Sequence, residues 1–481
     1  MYLFLIILLG FLLRIINIDK PEGLWNDEYV SWFVASTPFL KGFWQEVLKQ
    51  CHMPLYYLYL KPFTGFSDVV LRLTSVLPGV LSIPMMYLVG KEFDKKTGYF
   101  SAILTAVLPF LVYYSQEVRF YSLLFFFSVL NLYFLIKLLN NKKAWLGYAL
   151  SSVLILFTHV LGGIYVGITL FMVLFKHKKI SRQLLLSLLI ALPLVLFLGV
   201  NIIKMLPSSQ WWGSFSYTNI MFLFSDFFTP ILTNNINAPK VFFYNTSPLF
   251  VIFITLPLFI AMYYILKNAI KYKFYLFVVV LTILIMSILA LSGNLIFITK
   301  YLIEILPILI LLFALGVTSK IDNIVFVAYV LTLLFSILTV YYPANLFRSE
   351  GHNLVCEVLN KVQPENILFT YYSPDRFERY INIESKMNHI SKINRFVNLE
   401  HPENLLSNIK KGETLSVVFL DSVSFVPESM INSSEAERFP EMFVTFSTIR
   451  HKLIKYLEAN YKDFSVYKNG SWTVVTGTRF K

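Results

Sequence analysis

Long apolar runs separated by short basic loops dominate the first 347 residues. Each run is close to the twenty residues that a helix needs to cross a bilayer. Eleven spans are predicted, near residues 1–18, 69–90, 98–114, 120–137, 144–160, 162–176, 183–203, 248–267, 273–292, 301–318 and 323–342. Each is expected to be helical, because lipid leaves no partner for an unpaired backbone group. The first run lacks a basic leader and a small-residue cleavage site, so it reads as a retained helix and not as a removed signal segment.

The loops orient these spans. Lys91, Lys95 and Lys96 follow the second span, and Lys137, Lys142 and Lys143 the fourth. Lys176, Lys178, Lys179 and Arg182 follow the sixth, and Lys267, Lys271 and Lys273 the eighth. The alternate loops are nearly free of Lys and Arg. The N-terminus is therefore expected in the cytoplasm. Residues 19–68, 115–119, 204–247, 293–300 and everything after 342 are expected outside.

The first external loop is long enough to fold locally. Residues 27–50 read as one or two interfacial helices broken near Pro38, with Trp25, Trp32 and Trp44 at headgroup depth. Asn26 is the expected N-cap, which puts Asp27 and Glu28 in the first turn, where the helix dipole favours a carboxylate. Residues 348–481 read differently. "NILFTYY" and "LSVVFLD" are strand patterns, and "GHNLVCEVLNKV" and "IRHKLIKYLEANY" are helical. "FSVYKNGSWTVVTGT" places Asn-Gly between alternating apolar positions, as a hairpin does. The expected architecture is an α-helical polytopic membrane protein of about eleven transmembrane helices (1–347) with a C-terminal external α/β domain (348–481).

Composition agrees. The chain is 57% hydrophobic and only 14% charged, with a mean hydropathy of +0.64, against about 25% charged residues in soluble domains. The net charge of +13 raises the question of nucleic acid. Its distribution answers it. Residues 1–347 hold 24 basic and 12 acidic residues, and residues 348–481 hold 17 and 16, which together make the 41 and 28 of the whole. The excess lies in the loops between spans and not on a phosphate-binding face. Cys51 and Cys356 both map outside, as two free thiols or as a disulfide.

Chemistry is sought among charges at membrane depth, which are costly and suggest function. Asp27 and Glu28 stand in "NDEYVSW", His52 and Lys61 in "CHMPLYYLYLKPF", Glu117 and Arg119 in "SQEVRFYSL", and Lys300 in "TKYLIEILP". All four segments map to the external side. Carboxylates and bases at that interface suit sugar transfer from a polyprenyl-phosphate donor. The lipid tail stays in the bilayer, a carboxylate takes the acceptor's proton, and cations stabilise the departing phosphate. No zinc-ligand spacing, P-loop or dinucleotide fingerprint is present. No cofactor is called for, and a divalent metal is left open.

The order of these segments, with "RLTSVLPGVLSIPMMYLVGKEF" between the second and third, resembles the GT-C membrane glycosyltransferases. The nearest group is the dolichyl-phosphate-mannose–protein mannosyltransferase-like set, which includes the lipid A aminoarabinose transferases and the RgtA/B/C/D-like bacterial enzymes. The resemblance is dense over residues 1–175 and thin beyond, where "KYLIEILP" is its main anchor. It implies a hexosyl- or pentosyltransferase in the plasma membrane, with a glycan, lipid or protein acceptor and no nucleic-acid partner. By resemblance Asp27 is the catalytic carboxylate with Glu28 beside it, and His52 with Pro54 is the His-Pro segment, although Met53 stands where many relatives have a second Pro. Glu117 and Arg119 match the second-loop segment, and Lys300 stands where relatives often carry Arg, keeping the charge without the bidentate fork.

Each residue also has a plainer role open to it. Asp27 and Glu28 can be helix-start acids only, His52 a cap, Glu117 with Arg119 a structural ion pair, and Lys300 a snorkelling side chain. Arg14 is expected to snorkel or pair internally, and Glu304, four residues after Lys300, to pair with it. Asp226 lines an acceptor path or is interfacial structure. Two alternatives to an enzyme are a lipid-glycan transporter or flippase, which calls for paired repeats and midplane charges, and a non-catalytic glycan-binding membrane protein, against which the Asp27–Glu28 pair speaks.

The topology is testable with an impermeant thiol reagent after Cys51 and Cys356 are replaced by serine. Gly470→Cys is expected to react in intact cells and Lys95→Cys only after permeabilisation. Reaction of position 470 only after permeabilisation sinks the orientation.

Overall fold

The computed structural model describes residues 1–19, 23–49, 53–177, 217–229, 248–292 and 297–338. It also describes 182, 195–197, 199–200, 358–359, 361–362, 366–369, 409, 411–420, 453–469 and 472–480. Contacts divide the chain into two units, residues 1–19 with 30–346, and residues 20–29 with 347–481.

The first unit is helical. Its chain order is α1 (Tyr2–Ile15), α2 (Asn26–Ser36), which begins in the second unit, then α3 (Trp44–Lys49) and α4 (Leu55–Leu60). The long α5 (Asp68–Lys91) is followed by α6 (Lys95–Val107), α7 (Pro109–Tyr114), α8 (Tyr121–Leu139), α9 (Trp145–Thr158) and α10 (Gly162–His177). After these come α11 (Tyr217–Phe228), α12 (Pro248–Lys267), α13 (Lys273–Leu291), a 3-10 segment (Thr299–Ile305), α14 (Leu306–Gly316) and α15 (Lys320–Ser336). Ten of the expected spans coincide with these helices; the span at 183–203 falls largely outside the described residues. Asp68–Lys91, Tyr121–Leu139, Lys273–Leu291 and Thr299–Gly316 are long and apolar enough to cross a membrane, and Tyr2–Ile15, Trp145–Thr158 and Gly162–His177 are shorter apolar helices. This is a polytopic membrane fold. α14 is buried along its whole length, whereas α1 exposes Phe4, Leu5, Leu8 and Leu12, as a helix on the lipid side does. The break expected near Pro38 is present, as a kinked turn over Phe39–Phe43 between α2 and α3.

Pro109 interrupts the third expected span and leaves α6 open. The carbonyl of Thr105 would ordinarily receive the N–H of residue 109, which proline lacks. Arg14 supplies the donors instead. Its Nη2 donates to Thr105 O at 2.9 Å and its Nη1 to Ala106 O at 3.0 Å and Gly10 O at 2.9 Å. Its Nε donates to Ser115 Oγ at 3.1 Å. Of the two roles open to Arg14, internal pairing is the one it takes. Gln116 closes the neighbouring end, its Nε2 donating to Arg14 O at 3.1 Å and Ile16 O at 2.7 Å. On α5, Arg72 Nη1 donates to Ile18 O at 3.2 Å. Gly79 lets the 115–119 segment come close, since a Cβ there would lie 2.2 Å from Ser115 Oγ.

The second unit carries a four-stranded sheet in the order β1 (Asn366–Phe369), β2 (Thr414–Leu420), β4 (Trp472–Arg479), β3 (Tyr461–Asn469). β1 and β2 are parallel, and the other pairs are antiparallel. The hairpin expected around Asn469-Gly470 is β3–β4, and buried Ser416 and Thr476 meet across β2 and β4 with hydroxyls 2.6 Å apart. Leu415, Val417, Leu453, Leu457 and Tyr461 form its core, with a helix at 453–460 on the sheet. The helix expected at 351–362 lies largely outside the described residues, as does Cys356.

Arg14→Leu is expected to destabilise the protein by about 2–3 kcal/mol, because buried carbonyls at the α6 break lose charged donors. Arg14→Lys should recover only part of this, since one ammonium does not reproduce the fork. Thermal unfolding in detergent measures both, and an unchanged midpoint for Arg14→Leu refutes the account.

Candidate functional site

The turn between α7 and α8 and the start of the 3-10 segment gather the site. The turn between α7 and α8 is tight, with Arg119 N–H donating to Glu117 O at 2.7 Å. Ser75 on α5 fixes it twice: Ser122 Oγ donates to Ser75 O at 2.7 Å, and Ser75 Oγ donates to Arg119 O at 3.4 Å. Gln116, Glu117 and Arg119 are all buried. Arg119 Nη1 donates to Ser31 Oγ of α2 at 3.2 Å.

Arg119 lies over two rings, with its guanidinium carbon 5.3 Å from the Phe120 centroid and 5.8 Å from that of Tyr121. Lys300 reaches the same tyrosine from the 3-10 segment, its Nζ 5.4 Å from the Tyr121 centroid and 5.7 Å from Tyr301. Two cations nearly two hundred positions apart in sequence therefore share one buried aromatic ring, an arrangement that cation–π attraction stabilises. His159 completes the cluster. Its ring stacks between Phe120 at 4.8 Å and Tyr301 at 5.3 Å, and the positive fields of Arg119 and Lys300 act on it. The α9 end puts it there: His159 is the extended residue after Thr158, and Gly162 opens α10.

Other expected residues fare differently. Asp27 lies in the first turn of α2 and is half-buried. Asn26 is the first helical residue and not the cap: Tyr29 N–H donates to Trp25 O at 2.8 Å, which makes Trp25 the flanking position. Glu28 is then the third residue of the helix. It is fully buried, and its Oε2 accepts from Trp25 N–H at 3.2 Å, half of a capping box. Asp27 precedes Ser31, which holds Arg119, by one helical turn.

Lys61, expected to bind substrate, is turned on backbone. Its Nζ donates to Ala35 O at 2.9 Å and Thr37 O at 2.6 Å, at the C-terminus of α2, and sits 5.2 Å from the Phe43 ring centroid. A lysine capping a helix end answers carbonyls and the dipole there, so Lys61 is left out of the site proposed below. His52 and Cys51 lie outside the described residues.

Glu304 does not pair with Lys300. The expectation assumed α-helical spacing, whereas Thr299–Ile305 is a 3-10 segment kinked at Leu302. There residues three apart share a face and residues four apart diverge. Asp226, on α11, is buried. No group of three or more metal-binding side chains occurs among the described residues. The sequence reading missed His159 and Tyr121. For His159 a signal existed, a titratable residue ending an apolar span at the depth of Lys300; for Tyr121, one aromatic among many, none did.

His159→Ala is expected to cost about 2–4 kcal/mol by opening a cavity between two rings, with His159→Phe close to wild type. Chemical unfolding in detergent distinguishes them. Equal loss for both variants would show that stacking is not what holds the ring.

Residues 55–203 match the model of the dolichyl-phosphate-mannose-protein mannosyltransferase family. No curated protein matches the sequence. Among solved structures, ArnT from Cupriavidus metallidurans in the apo state is similar at a TM-score of 0.55 and 10% identity, covering 98% of this chain and 97% of that one. The same protein bound to undecaprenyl phosphate is similar at 0.51 and 10%, covering 99% and 97%. The resemblance expected from the motifs is therefore borne out: residues 55–203 carry the family's pattern, and the chain takes the fold of a GT-C membrane glycosyltransferase.

Proposed function

We propose that the protein transfers a sugar, with inversion, from a polyprenyl-phosphate-linked donor to an acceptor hydroxyl at the external face of the plasma membrane. The observation that carries this reading is the convergence of Arg119 and Lys300 on Tyr121, at the ends of helices expected to face outward. Polyprenyl phosphate is the ligand this chemistry suits. Its chain stays in lipid, and its phosphate needs cations in a poorly hydrated place. The similar fold of ArnT, which has been captured with undecaprenyl phosphate, supports the same donor.

In the proposed step Asp27 accepts the proton of the acceptor hydroxyl. The oxygen forms its bond to the anomeric carbon as the bond from that carbon to the phosphate oxygen breaks on the opposite face. The electron pair leaves with the phosphate, and Arg119 and Lys300 stabilise its gathering negative charge. Asp27 is favoured over Glu28 because the Glu28 carboxylate caps Trp25 and is buried, whereas Asp27 is half-exposed at the dipole-favoured start of α2. Glu28 then fixes the first turn. Glu117, in the tight turn before Arg119, and His52 are proposed as further substrate contacts. The acceptor is a glycan, lipid or protein hydroxyl.

The test is transfer from a panel of radiolabelled polyprenyl-phosphate sugars by the purified protein in lipid, with donor binding followed separately. Asp27→Asn is expected to bind donor and to lose about 10²–10⁴-fold in rate, as the loss of a positioned base does. Arg119→Ala and Lys300→Ala are each expected to cost about 2–4 kcal/mol in the transition state. Wild-type transfer by Asp27→Asn with a dead Glu28→Gln moves the base to Glu28. Wild-type rate and donor affinity in both cation variants remove them from the phosphate site.

A further inference from the structure

Glu304 is a buried acid that the proposed mechanism does not use. It is 1% exposed, on the 3-10 segment that packs against α8, α10, α11 and α13. Among the described residues its Oε2 has no hydrogen-bond partner. The Tyr165 hydroxyl on α10, 0% exposed, likewise has none. The 3-10 segment packs against α10, so the two buried groups belong to neighbouring elements of one interior layer.

A carboxyl oxygen and a phenol kept in an apolar interior without hydrogen-bond partners cost several kcal/mol relative to apolar residues of the same shape. Leucine would satisfy the packing at this position, where every neighbour from Leu302 to Gly316 is buried. The polar atoms therefore await a polar ligand. Its place follows from the segment. Glu304 follows Lys300 by four residues, at most about 8 Å at the 3-10 rise since the segment kinks at Leu302. A single pyranose ring with one hydrogen bond at its far edge spans that length.

Resting on the phosphate site proposed above, we infer that Glu304 and Tyr165 bind the hydroxyl groups of the donor's sugar and so select which sugar is transferred. A buried carboxyl group and a phenol can each donate to one sugar hydroxyl and accept from another. Together they distinguish a hydroxyl from its absence much more sharply than an apolar wall does, because a missing hydroxyl leaves buried polar atoms unpaired.

The test uses the full-length protein in lipid nanodiscs. One series of probes is a polyprenyl phosphate without sugar, and the other is the same lipid phosphate carrying glucose, mannose, galactose or arabinose. Glu304→Gln and Tyr165→Phe are expected to bind the sugar-free lipid within about twofold of wild type. Each should bind the preferred glycosylated lipid roughly ten- to a hundredfold more weakly, with the ranking among sugars flattened. Glu304→Leu should do the same and unfold at a higher temperature, since it removes an unpartnered buried acid. Equal weakening for sugar-free and glycosylated lipids overturns the inference, because the residues then act on the phosphate or the fold. An unchanged ranking among sugars in all three variants overturns it as well. Wild-type protein that binds neither series overturns the donor reading and this inference together, whereas wild-type binding to both series with unaltered variants overturns this inference alone.

Discussion

A helix in lipid can break only where its opened carbonyls find donors. Pro109 imposes such a break, and Arg14 answers it with three nitrogens on three carbonyls and one hydroxyl. The consequences run outward from that point. Because Arg14 also holds Ser115, the segment after α7 turns where α1 ends, and Gln116 seals the C-terminus of α1. Arg119 is then four residues further on, buried against Ser31 of α2. The placement of the proposed phosphate cation thus depends on a proline and an arginine that touch no substrate.

Cations in this protein are divided by what they face. Arg14, Arg72 and Lys61 each turn onto backbone carbonyls at a helix break or end, where a charged donor is worth about 1.5–3 kcal/mol. Arg119 and Lys300 are laid on aromatic faces. A ring attracts a cation by about 0.5–2 kcal/mol. His159, stacked between Phe120 and Tyr301, ties the two cation-bearing segments into one rigid layer.

The Thr299–Ile305 segment shows how local geometry redirects chemistry. In an α-helix, Lys300 and Glu304 would share a face and neutralise each other. The 3-10 winding and the kink at Leu302 separate them. Lys300 goes to the aromatic layer, and Glu304 is buried in the interior.

What the sequence determined by itself is what depends on neighbours along the chain. Span lengths follow from continuous apolar runs, and helix boundaries agree with the predicted ones to within a few residues, as at 248–267 and 273–291. The break at Pro38 and the hairpin at Asn469 were legible for the same reason, since proline and Asn-Gly act on their own backbone. The motif order was enough to anticipate the family resemblance over residues 55–203. Tertiary structure decided the partners. Arg14 meets residues about ninety to a hundred positions away, and Lys300 meets Tyr121 across nearly two hundred. No periodicity encodes such distances. Lys61 looked like a substrate cation because its charge was visible while the carbonyls of Ala35 and Thr37 were not. Glu28 stood beside Asp27 in the sequence with no role of its own, and the first turn of α2 puts it on a cap. Residue type and spacing specify which groups are present at the membrane surface; only packing specifies which of them the backbone has already engaged.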